Sequence, residues 1–90
     1  MEAISIYTYF YIYKITNTIN NKIYIGAHAS NDLSDNYMGS GKALKNAIKK
    51  YGIENFNKEI LFIFDNPVDM YAKEKELVTI EFILQDDNYN

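Results

Sequence analysis

The chain has 90 residues, 48% of them hydrophobic, which is enough for one compact domain over residues 1–90. It contains no cysteine and a single histidine, so disulfide frameworks, thiolate metal sites and histidine-rich metal clusters are excluded. The longest apolar run, residues 7–13, is far shorter than the ~20 residues that span a bilayer. We therefore expect a soluble protein with no membrane partner, in a reducing intracellular setting.

The net charge of −3 argues against a domain that binds DNA tightly by itself, because lysine and arginine supply most non-specific affinity for phosphates. The charge is unevenly distributed along the chain. Residues 11–58 contain seven lysines and three carboxylates, whereas residues 59–90 contain eight carboxylates and two lysines. The first part is suited to face a polyanion, and the second part is suited to hold a cation.

The first predicted element is an antiparallel hairpin. Residues 7–16, YTYFYIYKIT, are rich in aromatic and β-branched residues and predict a strand. Residues 18–21, TINN, supply turn residues. Residues 22–28, KIYIGAH, then predict the returning strand.

Strand alternation makes two tyrosines of this hairpin converge. Tyr13 shares one face of the first strand with Tyr11, and Tyr24 shares one face of the second strand with Gly26. Tyrosines in a hairpin are more often cross-strand packing residues than catalysts. Gly26 can likewise be a simple strand end or bulge, or its missing side chain can let a substrate approach.

A loop and a basic helix follow the hairpin. Residues 29–41, ASNDLSDNYMGSG, predict a loop in which Ser40 or Gly41 can cap the next element. Residues 42–52, KALKNAIKKYG, have the apolar spacing of a short helix that ends at Gly52. A lysine stripe on the other side of the helix is most often a solvated face. Its members are Lys42, Lys45 and Lys49.

The last elements are a strand and a helix. Residues 57–64, NKEILFIF, are apolar enough to predict the central strand. Residues 65–84 predict one helix, with Asp65 or Asn66 as the cap and a proline in the first turn. A carboxylate on its apolar face needs an explanation, because unpaired burial is costly. The apolar sector contains Met70, Tyr71, Leu77, Val78 and Phe82, together with Glu74 and Glu81. The predicted fold is α/β, a small and mainly antiparallel three-stranded sheet flanked by two or three helices.

This order of elements resembles the GIY-YIG nuclease domain, especially its phage homing-endonuclease branch. The two half-motifs of that family are similar to YIY at residues 11–13 and YIG at residues 24–26. KNAIKKYGIENF at residues 45–56 and KEKELV at residues 73–78 resemble the same branch. The resemblance covers about residues 9–90, nearly the whole chain.

The resemblance implies a metal-dependent endonuclease that hydrolyses phosphodiester bonds in double-stranded DNA with one Mg²⁺ or Mn²⁺ ion. It places the catalytic tyrosines at Tyr13 and Tyr24, the metal-binding carboxylate at Glu74 and the family's closing asparagine at Asn90. One carboxylate with waters and a substrate phosphate is a usual arrangement for so hard an ion. A tyrosine whose pKa is lowered by the cation or by a neighbour would accept a proton from the attacking water. The implied location is the cytoplasm of a bacterium or of a phage-infected host.

The sequence departs from the family pattern in two ways. Tyr11 stands where the family usually has glycine, which is a mild change. The family also has an arginine on the first helix after YIG, where it stabilises phosphate charge, but all nine basic residues here are lysines. Lys42 is the first candidate substitute and His28 the second, although lysine lacks the bidentate guanidinium. The residues expected to contact DNA are Gly26, Lys42, Lys45, Lys49 and Asn90.

Two other functions remain open. The absent arginine favours a degenerate member that binds nucleic acid or protein without cutting. A weaker idea is a single-strand binder that stacks bases on Tyr7, Tyr9 and Tyr11. The phage members of this family usually attach the domain to a separate DNA-recognition region. We therefore expect a recognition domain or a partner protein to be needed for affinity.

Overall fold

A three-stranded antiparallel sheet in the order β2-β1-β3 lies between two layers of helix, in a computed structural model that describes residues 6–90. The predicted α/β fold is confirmed. The strands are β1 (Tyr9–Asn17), β2 (Ile23–Ser30) and β3 (Phe56–Phe64). The helices are α1 (Lys42–Tyr51), α2 (Pro67–Leu77) and α3 (Ile80–Ile83), and a 3₁₀ turn spans Ile53–Asn55.

The central strand is β1, so the prediction that residues 57–64 form the central strand is wrong. Side chains on both faces of β1 are buried. Tyr11 and Tyr13 pack in the cluster under α1, whereas Ile12 packs on the opposite face with Met70 of α2. On the edge strand β3, Ile63 is 53% exposed. An apolar run therefore marks a central strand only where helices cover both of its faces.

Helix α1 has the predicted limits, whereas residues 65–84 form two helices instead of one. Asn66 caps α2 by accepting a hydrogen bond from the Asp69 N–H, as expected. The helix ends at Leu77, and the Thr79 hydroxyl then accepts from the Phe82 N–H to begin α3. Because the backbone of Thr79 is extended and its hydroxyl binds the Phe82 N–H, α2 cannot continue through Thr79.

The structure corrects two members of the predicted apolar sector, Tyr71 within α2 and Glu81 beyond the break. Met70 is fully buried, and Glu74 is partly buried beside it as expected. Tyr71, however, is 59% exposed, and Glu81 is exposed on α3. A projection of one continuous helix cannot place residues beyond Thr79, since α3 has its own axis.

The Tyr13 ring fills the space above Gly26. The two residues are paired across β1 and β2. A Cβ atom added at Gly26 would lie 2.4 Å from the Tyr13 hydroxyl oxygen and 2.6 Å from Tyr13 Cζ. The glycine is therefore required by packing in the middle of a strand, and it is not a strand end.

The outer edge of β2 is covered by residues 87–90. The Ile23 N–H donates to the Asp87 carbonyl at 3.1 Å, and the Tyr89 N–H donates to the Ile23 carbonyl at 2.8 Å. These bonds form a short parallel bridge beside β2. An edge strand that would otherwise expose unpaired backbone groups is thus protected.

Two side chains continue this cover along β2. Asn90 Oδ1 accepts from the Ile25 N–H at 2.9 Å, and Asn90 Nδ2 donates to the Ile25 carbonyl at 2.6 Å. The next outward N–H, that of Ala27, donates to the Glu74 carboxylate. The side-chain amide of Asn90 therefore imitates a neighbouring strand, and Glu74 extends the pattern by one step.

The loop between β2 and α1 is fastened to the sheet by Lys58 of β3. Lys58 Nζ donates to Asp35 Oδ1 at 3.3 Å, to the Tyr11 hydroxyl at 2.8 Å and to the Tyr37 carbonyl at 2.7 Å. Its side chain is only 13% exposed and lies over the rings of Tyr11, Tyr13 and Tyr37. All three ammonium protons have partners, so the buried charge is fully satisfied.

Asp35 is held ionised by its neighbours. Burial acts to raise its pKa, but hydrogen bonds from Ser30, Tyr11 and Lys58 outweigh burial and lower the pKa to about 2. A pKa below its unfolded value means that the ionised carboxylate stabilises the fold above about pH 4. This contribution is lost as the pH falls towards 2.

Replacing Gly26 with alanine should lower the free energy of unfolding by about 1–3 kcal/mol, since the new methyl group collides with the buried Tyr13 ring. Urea denaturation monitored by circular dichroism measures this change. In a Tyr13→Phe background the cost should be smaller, because the nearest atom is then removed. An equal cost in both backgrounds would contradict this explanation.

Asn90→Ala removes both side-chain bonds to Ile25 and should cost about 1–3 kcal/mol in urea denaturation, because the Ile25 backbone groups lose their partners. The exposed Asn57 on β3 offers a matched control, for which alanine should change stability by less than about 0.5 kcal/mol. Equal effects at the two positions would show that the edge cover contributes little.

Asp35→Asn should flatten the acid dependence of stability. The wild-type free energy of unfolding should fall between pH 4 and pH 2 by about 1–2 kcal/mol through Asp35, as its carboxylate becomes protonated. Urea denaturation at several pH values measures this fall. The control variant Asp32→Asn, altered in the same loop, should retain most of this fall in stability. If stability falls as steeply with pH in Asp35→Asn as in the wild type, Asp35 is not the group responsible.

Candidate active site

The two predicted tyrosines meet on the face of the sheet that α1 covers. Tyr13 is paired with Gly26, and Tyr24 is paired with Ile15. The Tyr13 and Tyr24 rings are 6.1 Å apart between centroids and are tilted by 36°. The convergence expected from strand alternation is confirmed.

These tyrosines have different surroundings. Tyr13 is 1% exposed, and burial, followed by the neighbouring Tyr24 and Tyr37, raises its pKa well above the usual tyrosine range. The described neighbours of Tyr13 therefore raise the pKa of its hydroxyl, and none of them supplies the lowering expected of a catalytic tyrosine. Tyr24 is partly exposed and lines a pocket. It is the tyrosine of this pair that a substrate can reach.

That pocket lies at the covered edge of β2 and has a volume of about 410 Å³. Three of the residues predicted for the site, from distant parts of the chain, line it together. They are Tyr24 from β2, Lys42 from the start of α1 and Asn90 from the edge cover. The other walls include Gly41, Val78 and Ile83. Lys45 and Lys49 are exposed farther along α1 and are not among the residues that line it.

Glu74 approaches the same strand edge from α2. Burial raises the pKa of its carboxyl group, and the hydrogen bond from the Ala27 N–H partly offsets this effect. Within residues 6–90, no lysine or histidine nitrogen lies within 4 Å of this carboxylate. A half-buried carboxylate without a cationic partner is suited to hold a metal ion.

A second group of polar residues lies farther along the same face of β2. His28 Nε2 is 3.3 Å from Asp35 Oδ2, and the His28 ring is stacked on Tyr37 at 3.6 Å between centroids. Tyr37 meets the Tyr13 ring edge-on at 5.9 Å. A continuous row of rings therefore connects Tyr24, through Tyr13 and Tyr37, with His28.

Sequence reasoning did not single out three members of this group, namely Asp35, Tyr37 and Lys58. Asp35 and Tyr37 belong to residues 29–41, whose polar composition indicated only a loop. The one available signal was at Lys58, because strand alternation places it on the same side as the apolar Phe56 and Ile60. A lysine at an inward position predicts a buried partner.

Two findings bear on other classes of protein, namely single-strand binders and membrane proteins. Tyr11 is 0% exposed, so it is not accessible for stacking with a base, and the single-strand hypothesis loses one of its three tyrosines. Within the described part of the chain, no helix has the length and apolar character needed to cross a bilayer.

The chain was compared with known proteins. Residues 2–90 match the family model described as "Putative endonuclease segE, GIY-YIG domain". The chain is 60% identical over 82 residues to "Putative endonuclease segB" of Enterobacteria phage T4, which covers 91% of this chain and 37% of that protein. It is 58% identical over 79 residues to "Putative endonuclease segD" of the same phage, covering 88% of this chain and 35% of that protein.

A third relative is "Endonuclease segA" of the same phage, 49% identical over 82 residues, or 91% of this chain and 37% of that protein. The chain thus spans less than half the length of these curated relatives. No solved structure matches it. The family match over almost all of the sequence, together with the two converging tyrosines, shows that the chain belongs to the GIY-YIG family, in its segE-type branch.

Proposed function

We propose that this domain is a metal-dependent endonuclease that hydrolyses phosphodiester bonds in double-stranded DNA. The observation that carries the proposal is the shared pocket of Tyr24, Lys42 and Asn90 at the edge of β2, with Glu74 bound to the next outward N–H of that edge. The relatives are named endonucleases, which supports the same class of reaction here.

One divalent ion, Mg²⁺ or Mn²⁺, fits the chemistry of Glu74. Residues 6–90 contain no group of three or more His, Cys, Asp or Glu side chains that could hold a metal. Glu74 would therefore be a single carboxylate ligand, and waters and phosphate oxygens would complete the shell, as is common for Mg²⁺. When bound, the ion supplies Lewis-acid stabilisation of the charge on the phosphate.

Tyr24 and Lys42 act on the phosphate from the pocket that they line at the edge of β2. Tyr24 is partly exposed, and its hydroxyl hydrogen-bonds the phosphate or the attacking water, while the buried Tyr13 ring holds Tyr24 in place. Lys42 provides the positive charge that the family obtains from arginine. Gly41, the N-cap of α1, has no side chain to offer the first-turn N–H groups, which leaves that helix end suited to an anion.

Binding to DNA extends beyond the pocket along α1. Lys45 and Lys49 are exposed on the same helix as Lys42 and contact further phosphates. Asn90 contributes indirectly, because its amide is already bonded to Ile25. With a net charge of −3, the domain alone binds weakly and in a salt-sensitive manner, and a recognition region or partner protein supplies the remaining affinity.

Cleavage of supercoiled plasmid DNA tests the proposal. The wild-type chain with Mg²⁺ or Mn²⁺ should nick or linearise DNA, and a chelator should abolish the reaction. Glu74→Gln and Tyr24→Phe should each reduce the rate by about 100-fold or more, because each removes a group that acts on the reacting phosphate. Tyr13→Phe should have a smaller effect, since the ring that supports Tyr24 remains.

Glu76→Gln is the matched control, because Glu76 is exposed on α2 and pairs with Lys73 at 3.1 Å. It should leave cleavage unchanged. A catalytically degenerate binding domain, the alternative that the absent arginine favours, would give a different result. DNA binding would then be indifferent to Glu74→Gln and to chelator, and none of the proteins would cut.

A further inference from the structure

We propose that Tyr89 is a positioning residue of the active site. Its hydroxyl, held by the buried Asn17, fixes the edge cover (residues 87–90) against β2 and thereby orients Tyr24. This inference rests on the proposed nuclease function and adds to it a tether that lies outside the pocket. It starts from Asn17 at the end of β1, a polar side chain that is 0% exposed.

The Asn17 side chain uses both ends of its amide. Its Oδ1 atom accepts from the Ile19 N–H at 2.9 Å, and its Nδ2 atom donates to the Tyr89 hydroxyl at 3.0 Å. Because only the oxygen can accept from the Ile19 N–H, the Nδ2 end is the one that faces Tyr89. A side chain with no exposed surface cannot contact a substrate. Asn17 therefore acts only through the residues that it binds.

The Tyr89 hydroxyl joins the edge cover to the turn between β1 and β2. It accepts a second hydrogen bond from Asn20 Nδ2 at 3.2 Å, so two asparagines that are far from it in sequence bind the same oxygen. Tyr89 also lines the pocket that contains Tyr24, Lys42 and Asn90, whereas neither Asn17 nor Asn20 lines it. The tether therefore connects a turn outside the pocket with one of the pocket walls.

The edge cover is anchored to α3 by Asn88. Its Nδ2 atom donates to the Phe82 carbonyl at 2.6 Å and to the Gln85 carbonyl at 3.1 Å, and its Oδ1 atom accepts from the Asn90 N–H at 3.0 Å. The edge cover is thus bound to α3 through Asn88 and to the turn through Tyr89. Removing the Tyr89 hydroxyl detaches it from the turn and leaves its bonds to α3 and β2.

The edge cover binds the backbone on both sides of Tyr24. Ile23 bonds to backbone groups of residues 87 and 89 at 3.1 and 2.8 Å. Ile25 bonds to the Asn90 side chain at 2.9 and 2.6 Å. Tyr24 itself is paired with Ile15 of β1, on the other side of the strand. The backbone at Tyr24 is therefore fixed by β1 on one side and by the edge cover on the other.

The Tyr24 ring has little freedom to compensate for a shift of its backbone. A Cβ atom added at Gly41 would lie 2.8 Å from Tyr24 Cε2, so the ring is packed against the residue that precedes α1. The Tyr13 ring lies 6.1 Å from it between centroids. A displacement of the edge cover would therefore move the Tyr24 hydroxyl relative to the phosphate, and small errors of position slow a reaction strongly.

Hydrogen exchange measured by nuclear magnetic resonance tests the tether without a cleavage assay. Tyr89→Phe keeps the ring but removes the oxygen that both asparagines bind. The Ile25 amide should then exchange about 10-fold faster, because lost hydrogen bonds favour opening of the edge cover. The Gly52 amide, bonded to the Ile48 carbonyl at the end of α1, should keep its rate. An unchanged rate at Ile25 would overturn the proposal.

A double variant tests whether Asn17 acts through Tyr89. Asn17→Ala should also accelerate exchange at Ile25 in the wild-type background. Added to Tyr89→Phe, it should change the rate by less than about 2-fold, because the bond between the two residues is already absent. An equal acceleration in both backgrounds would mean that Asn17 acts through the turn alone, which would contradict its assigned role.

The position of Tyr24 can be measured in the same samples. Nuclear Overhauser contacts between the Tyr24 ring and the Gly41 α-protons should be strong in the wild type, since the two residues are in contact. They should weaken in folded Tyr89→Phe and persist in Tyr71→Phe, a matched control because Tyr71 is 59% exposed on α2. Contacts of equal strength in all three proteins would show that Tyr24 does not depend on the edge cover.

Cleavage kinetics then separate positioning from a purely structural role. At a temperature where the variant is fully folded, Tyr89→Phe should lower kcat by about 10-fold with little change in KM, since the position of Tyr24 matters in the transition state. Tyr71→Phe should leave both constants unchanged. An unchanged kcat, or a raised KM alone, would overturn the proposal. If the wild-type chain cuts no DNA, the nuclease proposal fails, whereas the Overhauser contacts still decide whether the edge cover orients Tyr24.

Discussion

The architecture depends on the burial of β1 on both faces. Tyr11, Tyr13 and Ile15 point towards α1, while Phe10 and Ile12 point towards α2. A strand that is buried on both faces must lie between two neighbours and between two helical layers, since its backbone needs partners on both sides. The positions of β2 and β3 follow from that requirement. The face under α1 therefore receives the tyrosines that define the family.

The edge of β2 connects the fold with the proposed chemistry. Its outward backbone groups need partners, and they find them in residues 87–90, in the Asn90 amide and in the Glu74 carboxylate. Glu74 and Asn90 are thereby held within a few ångströms of the strand that also carries Tyr24. A group bonded to the backbone of a strand has little freedom, which favours a site of defined geometry.

The ion pair of Lys58 and Asp35 orders the loop between β2 and α1, in addition to the pH-dependent stability that the Asp35 carboxylate contributes. A buried ion pair is weak evidence for stability, because the cost of removing two charges from water offsets most of their attraction. It does specify one arrangement of the loop, since Lys58 is satisfied only when Asp35 and the Tyr37 carbonyl are both in place. The aromatic stack of Tyr37 on His28 then follows from the position of the loop. A loop of polar residues is in this way tied to a sheet with a fixed orientation.

The sequence by itself determined the features that depend on local periodicity. Alternation along the hairpin placed Tyr13 and Tyr24 on one face, and the period of the helix turned Glu74 inward, because side-chain direction follows from backbone geometry within a few residues. Only the tertiary structure decided which strand is central, that Tyr13 is buried while Tyr24 is accessible, and that Lys58, Asp35 and His28 meet. These features depend on contacts between residues far apart in the chain, such as Lys58 with Asp35 and Tyr11. Such contacts arise from the packing of whole elements, to which no local pattern is sensitive.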